Sequence, residues 1–211
     1  MTAFTNTIVS ICQAELQTFK GGKLKEDHAS VYQRVGTYWS AIPVAGIDGR
    51  TVFKDKKGKP YNPAWSAAFI SFVLKQAGVG AKFKTTEAHC HYIEAARKAA
   101  TSNSSKAAYH AVDPYSVMPA VGDIVAVGRE YAQQLTFKQA ELAYRADSFY
   151  PSHCDFVVEV DAQKGVVLVV GGNVNNSVAP KRLLLTSNGR LTDRPEGNKL
   201  LPWLALLRCQ Q

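Results

Sequence analysis

The chain has 211 residues, 46% of them hydrophobic and 20% charged, with a formal net charge of +8. This composition excludes a disordered chain and suits one domain with a full core. The positive excess is either a solvated basic surface or the footprint of an anionic partner; its dispersal over "KGGKLK" (20–25), "KDKKGK" (54–59) and Lys181-Arg182, with no interleaved aromatics, disfavours nucleic acid.

The N-terminal stretch "MTAFTNTIVSICQAELQTFKGG" is interrupted by Gln13, Glu15 and Gln17 and lacks a basic start. It predicts an amphipathic helix over 3–20 ending at Gly21-Gly22, not a signal peptide. Synthesis in the cytoplasm is expected, and any role outside it needs another export route. No run approaches the roughly 20 apolar residues of a transmembrane segment.

A second helix is predicted over about 26–41, with Val31, Val35, Tyr38 and Trp39 on one stripe. A loop over about 43–62 follows. In "NPAWSAAFIS" (62–71), Asn62 fits a helix cap and Pro63 the first helical position, predicting a helix over 63–77 that stops at Gly78. Its stripe of Trp65, Phe69, Phe72 and Val73 reads as core. A further helix is predicted over about 86–100, through "EAHCHYIEAARKAA", before the polar break "TSNSSK".

After Pro119 the pattern turns to short β-rich runs: "GDIVAV" (122–127), "CDFVVEV" (154–160), "GVVLVVGG" (165–172), "RLLL" (182–185) and "PWLALLR" (202–208). Asp161 to Gly165 close a hairpin between the second and third. A partly helical insertion occupies 129–150. Residues 1–211 thus read as a single α+β domain. Its N-terminal helices (1–42) and core helices (62–100) precede an antiparallel sheet (119–208) of about five to six strands.

Three side chains form a candidate catalytic set. Ser66 sits in the first turn of a buried helix, His153 where a loop enters a strand, and Asn173 after the next strand. Adjacent antiparallel strands put His153 and Asn173 at one sheet end, and a histidine held by a polar group and facing a nucleophile is the logic of triad hydrolases. A serine hydroxyl does not ionise at neutral pH as a helix-start thiol does, so it needs His153 to take its proton and backbone N–H donors for the oxyanion. A plain capping serine is the alternative. Strand alternation sets His153 with Asp155, Val157 and Glu159, opposite the more apolar Cys154, Phe156, Val158 and Val160.

Trp65, His89, Arg129 and Asp155 are taken as substrate contacts. Arg129 suits a carboxylate or an exposed ion pair, His89 the cleft or packing, and Asp155 support of His153 or a strand-edge carboxylate. "HCH" and "HCD" hold zinc-type ligands, but His89 and His91 do not share a helix face and the spacing fits no structural site. No metal or cofactor is expected. Cys12, Cys90, Cys154 and Cys209 form no CxxC pair, which argues against a zinc ribbon or a disulfide scaffold. Gly171-Gly172 read as a turn exposing Asn173 and not as a nucleotide loop.

The order of "PAWSAAFIS", "GDIVAV" and "SHCDFVVEV" resembles the papain-like cell-wall amidases of the NlpC and CHAP type. With "HCHYIEAA", "GGNVNNSV", "RVGTYW" and the final strand around Trp203 added, the set over about 30–208 looks like the bacterial domain of unknown function 2272. The resemblance implies a papain-like fold, with serine as that family's residue at position 66. It also implies hydrolysis of an amide bond in the peptide stem of peptidoglycan, with Ser66 as nucleophile, His153 as base and Asn173 as orienter. The expected setting is a secreted antibacterial effector or a lysis protein delivered to a target cell's periplasm, with a secretion carrier and an immunity protein as partners. The alternatives are a non-catalytic wall-binding module, a glycan cut by a carboxylic acid such as Asp155 or Glu87, and acyl transfer or lipid chemistry.

Overall fold

A computed structural model describes residues 1–211. Helix α1 (Ala3–Thr18) opens with a capping box between Thr2 and Thr5, and the chain leaves it through Gly21 and Gly22, both at positive φ. Helix α2 spans only Tyr32–Trp39, shorter than its sequence period suggests. Over the preceding residues local bonds compete with helix: Ser30 donates its backbone N–H to His28 Nδ1, and its hydroxyl also meets that nitrogen at 2.8 Å.

The lysine-rich loop contains a small exposed hairpin, β1 (Phe53–Lys54) and β2 (Pro60–Tyr61). Asp55 accepts the backbone N–H groups of Lys57 and Lys59 and closes its turn. Helix α3 runs Ser66–Gln76, so its start lies later than expected. Trp65 occupies the cap position and no side chain caps the helix; Asn62 instead donates to the Thr51 carbonyl. Helix α4 is His89–Thr101, and α5 (Phe137–Asp147), with a Thr136–Gln139 capping box, lies in the expected insertion.

The main sheet holds β3 (Tyr109–Val112), β4 (Ile124–Gly128), β5 (Ser152–Asp161), β6 (Val166–Gly171), β7 (Ala179–Leu184) and β10 (Ala205–Cys209), in the order β3-β10-β4-β5-β6-β7. Every pairing is antiparallel. The protein is therefore α+β, with five α-helices and a six-stranded antiparallel sheet. The expected α+β order holds, with β3 as an added edge strand whose four residues carried too short a pattern to read. A short hairpin of β8 (Arg194–Glu196) and β9 (Lys199–Leu201) stands apart from this sheet.

Alternation along β5 sorts the two faces as far as Val158; a β-bulge between Val157 and Glu159 then turns Val160 onto the smaller cluster, not onto the face of Cys154, Phe156 and Val158 where strict alternation put it. Cys154, Phe156 and Val158 join the larger core with α1, α3 and α4. Val157 joins a smaller cluster on the other face with Val125, Val127, Val169, Leu191 and Trp203. In the larger core Tyr38 stacks with Trp65 at 5.4 Å between centroids and meets Phe69 and Phe72 edge-on. Trp65 is 1% exposed and donates its indole N–H to Glu26 Oε2 at 2.5 Å. That overturns its assignment as a substrate contact: an indole stacked in the core and hydrogen-bonded inward has no free face. No helix is long and apolar enough to cross a membrane.

Candidate active site

Helix α3 brings Ser66 to the wall of a pocket of about 300 Å³, in its first turn. The first intrahelical bond runs from the Phe69 N–H to the Trp65 carbonyl, so the N–H groups of Ser66, Ala67 and Ala68 have no acceptor within the helix. Without a capping side chain they remain as donors around the serine. The same pocket is lined by Glu87, His89, Arg129, His153 and Asn173. Ser66 and His153, the two groups whose meeting the sequence pattern requires, thus share one cleft.

The hydrogen bonds differ from the expected set. Ser66 Oγ lies 2.6 Å from His89 Nε2, at the start of α4, and no hydrogen bond joins it to His153. His89 Nδ1 meets the Tyr92 hydroxyl. With the Tyr92 oxygen as acceptor, this contact takes the Nδ1–H of His89. The Nε2 lone pair then faces the serine hydroxyl, which is the tautomer a general base needs. Burial raises the Tyr92 hydroxyl well above the ordinary range, so it stays protonated.

His153 pairs through Nε2 with Asp155 Oδ1 at 3.0 Å, and Asp155 Oδ2 meets Lys181 Nζ at 2.5 Å. Asn173 forms no hydrogen bond to His153. It stands at φ 57° in the turn after β6, and the orienting position is taken by Asp155, two residues along the histidine's own strand. The imidazole rings of His89 and His153 lie edge to face at 5.7 Å.

Burial lowers both imidazoles below their ordinary range; for His89 the neighbouring His153 adds to it, while for His153 the Asp155 carboxylate opposes it. Both are neutral at pH 7. Burial by itself raises the Asp155 carboxyl, but Lys181 and then His153 outweigh it and hold Asp155 ionised, well below the ordinary carboxylate range. Asp155 is therefore no proton donor at neutral pH.

Two glycines make this packing possible. A Cβ on Gly171 would fall 1.9 Å from Asp155 Oδ1 and 3.1 Å from His153 Nε2. A Cβ on Gly172 would fall 2.4 Å from Phe69 Cβ and 2.8 Å from Trp65 Cζ3, so only glycine lets the end of β6 lie against the first turn of α3. That contact sets Asn173 in the serine's pocket.

Arg129 lines the pocket with no ion pair or side-chain hydrogen bond of its own. His91 turns away to Tyr144, at 3.1 Å from its hydroxyl. No group of three His, Cys, Asp or Glu side chains is placed to hold a metal ion, and all four cysteines are free thiols.

Sequence reading missed Tyr92 and Lys181. Tyr92 stands three residues after His89, a helical neighbour spacing that offered a local signal. Lys181 reaches Asp155 across β6, with Val169 facing both Val157 and Lys181 in the ladders, and no local pattern announces that. Replacing Lys181 with Met is expected to destabilise the fold by about 1–3 kcal/mol at pH 7, because a buried carboxylate loses its cation. The carboxyl of Asp155, depressed in the folded chain, contributes stability that is full above the ordinary carboxylate range and is lost as pH falls from that range toward its lower folded pKa. In Lys181→Met this acid-side loss shrinks, whereas Lys181→Arg retains it; urea unfolding at pH 7 and pH 3 reads both.

A family model described as "Uncharacterized protein conserved in bacteria (DUF2272)" matches residues 26–209. No curated protein and no solved structure matches the chain.

Proposed function

The chain belongs to the bacterial DUF2272 family, and from the Ser66–His89 contact inside the matched residues we propose that it is a serine hydrolase of papain-like architecture that cuts an amide bond in the peptide stem of peptidoglycan. The carrying observation is the 2.6 Å contact between a hydroxyl at an uncapped helix start and a neutral imidazole. The motif order in the sequence supports the architecture and the substrate, and the net charge of +8 suits an anionic wall polymer.

Ser66 Oγ attacks the carbonyl carbon while His89 Nε2 takes its proton. The oxyanion is met by the free N–H groups of the α3 start. Collapse breaks the C–N bond, and His89 returns the proton to the leaving amine. Water then attacks the acyl-serine, again through His89, releasing the acid and restoring Ser66. The role expected of His153 as base passes to His89, which is the imidazole in reach. His153, fixed by Asp155, is the second imidazole lining the pocket, and the Asp155 carboxylate behind it stabilises the positive charge that develops on His89. Asn173 is a substrate-facing amide of the pocket. Delivery to the wall of another cell, with a carrier and an immunity protein for the producer, is part of this proposal. A glycan cut with Asp155 as acid is disfavoured because that carboxyl stays ionised.

Digestion of purified peptidoglycan tests the reading. New amino groups that disappear in Ser66→Ala are expected. New reducing ends would instead mean a glycan cut, and binding without products a non-catalytic module.

A further inference from the structure

A larger cavity of about 700 Å³ lies on the Asp155 side of His153, away from Ser66. Only His153 and Arg129 line both this cavity and the serine's pocket. Its volume is that of a site for a ligand of several residues. One wall is made by consecutive residues of β7, Lys181 to Leu184, and β7 is one of the two edge strands of the sheet. The end of that edge is already met, the Leu184 carbonyl accepting the Thr192 N–H and Leu185 bridging Leu191, and the stretch before it offers backbone donors and acceptors to an extended peptide.

The charges in this cavity are not balanced within the protein. Lys181 is matched by Asp155 and Arg194 by Glu196, while the Asp193 carboxylate accepts a hydrogen bond from Tyr115. Arg129 and Arg182 have no acidic partner. Set against one carboxylate without a cationic partner, Asp193, the two free guanidiniums leave the lining positive in excess, and with Val174 and Leu183 beside them they suit a small-residue peptide bearing a carboxylate.

Resting on the hydrolase reading above, we infer that this second cavity is the subsite for a carboxylate-bearing peptide segment of the substrate, which runs from Ser66 past His153 and along the edge of β7. Arg129 sits at the junction and Arg182 at the far wall. The His153–Asp155–Lys181 line forms the partition between the cut bond and the anchored carboxylate. The preferred substrate is then an amide whose chain continues to a free acid, not a neutral peptide.

The test uses the full-length Ser66→Ala protein, which holds ligand without turnover. Its affinity for an N-acetylated alanyl tripeptide with a free C-terminal carboxylate is compared with that for the C-terminal amide, by calorimetry and by amide-shift mapping. The free acid is expected to bind at least about tenfold tighter, the worth of one charge-assisted hydrogen-bond pair. Shifts are expected over Lys181–Leu184. Arg182→Gln and Arg129→Gln should each erode that preference, and Arg182→Lys should keep part of it. Equal affinities, or a preference that survives both glutamine variants, would overturn the subsite. Because binding is read without turnover, a carboxylate preference in a protein that releases nothing from peptidoglycan would overturn the hydrolase reading alone. Hydrolysis indifferent to the carboxylate would overturn the subsite alone.

Discussion

Ser66→Ala should lower amide turnover by about a thousandfold to a millionfold, the span seen when the nucleophile of a catalytic unit is removed. Ser66 is buried and its hydroxyl contacts one group, His89 Nε2, so the deletion takes away the attacking oxygen and little packing. His89→Ala is expected to cost nearly as much, and the double variant scarcely more than either, because the two groups act as a unit. His153→Ala separates the roles. If His153 were the base, its loss would match that of His89; with His89 as base, His153→Ala should retain clearly more activity than His89→Ala. Steady-state kcat/KM of the four proteins decides.

The pH profile carries its own sign. The base works when neutral, so kcat/KM rises with pH through the His89 pKa. Burial and His153 lower that pKa, which places the acid limb below the ordinary histidine value of about 6.5. Stability moves the same way. Both buried histidines have depressed folded pKa values, so between those and about 6.5 the unfolded chain binds more protons and stability falls as pH drops.

Gly171→Ala is expected to damage the site without altering any reacting group. The added methyl would stand 1.9 Å from Asp155 Oδ1, and the carboxylate has nowhere to go: it is buried and tethered by both His153 and Lys181. Overpacking of this kind costs about 1–3 kcal/mol, read by denaturant unfolding. Activity should fall further than stability explains, because the pair that positions His153 opens. In an Asp155→Ala background the clash partner is gone, and the stability cost of Gly171→Ala should largely disappear; a double-mutant cycle measures that coupling. A full cost persisting in that background would assign the glycine to backbone conformation instead.

Much of the architecture was legible because it is written in local periods. The 3.6-residue stripe of Trp65, Phe69, Phe72 and Val73 marked α3, and the alternation of "SHCDFVVEV" sorted Cys154, Phe156 and Val158 to one face and His153 with Asp155 to the other. Helix ends were less legible. Asn62 and Pro63 look like a start, yet Asn62 is drawn to the Thr51 carbonyl and the helix begins at Ser66. Trp65 was misjudged because adjacency to the nucleophile says nothing about direction: its indole points inward to Glu26.

Local pattern suffices for the α+β order, the serine in the first turn of a buried helix, and the histidine opening a strand, since each depends on neighbours a few residues apart. That Ser66 meets His89 rather than His153, and that Asp155 and Lys181 hold His153 where Asn173 was expected, follows from packing between distant elements. Those choices depend on how α4 packs beside α3 and how β7 registers on β6, with glycine clearance at Gly171 and Gly172. Contacts between elements follow from shape and burial across the core, which no local spacing encodes.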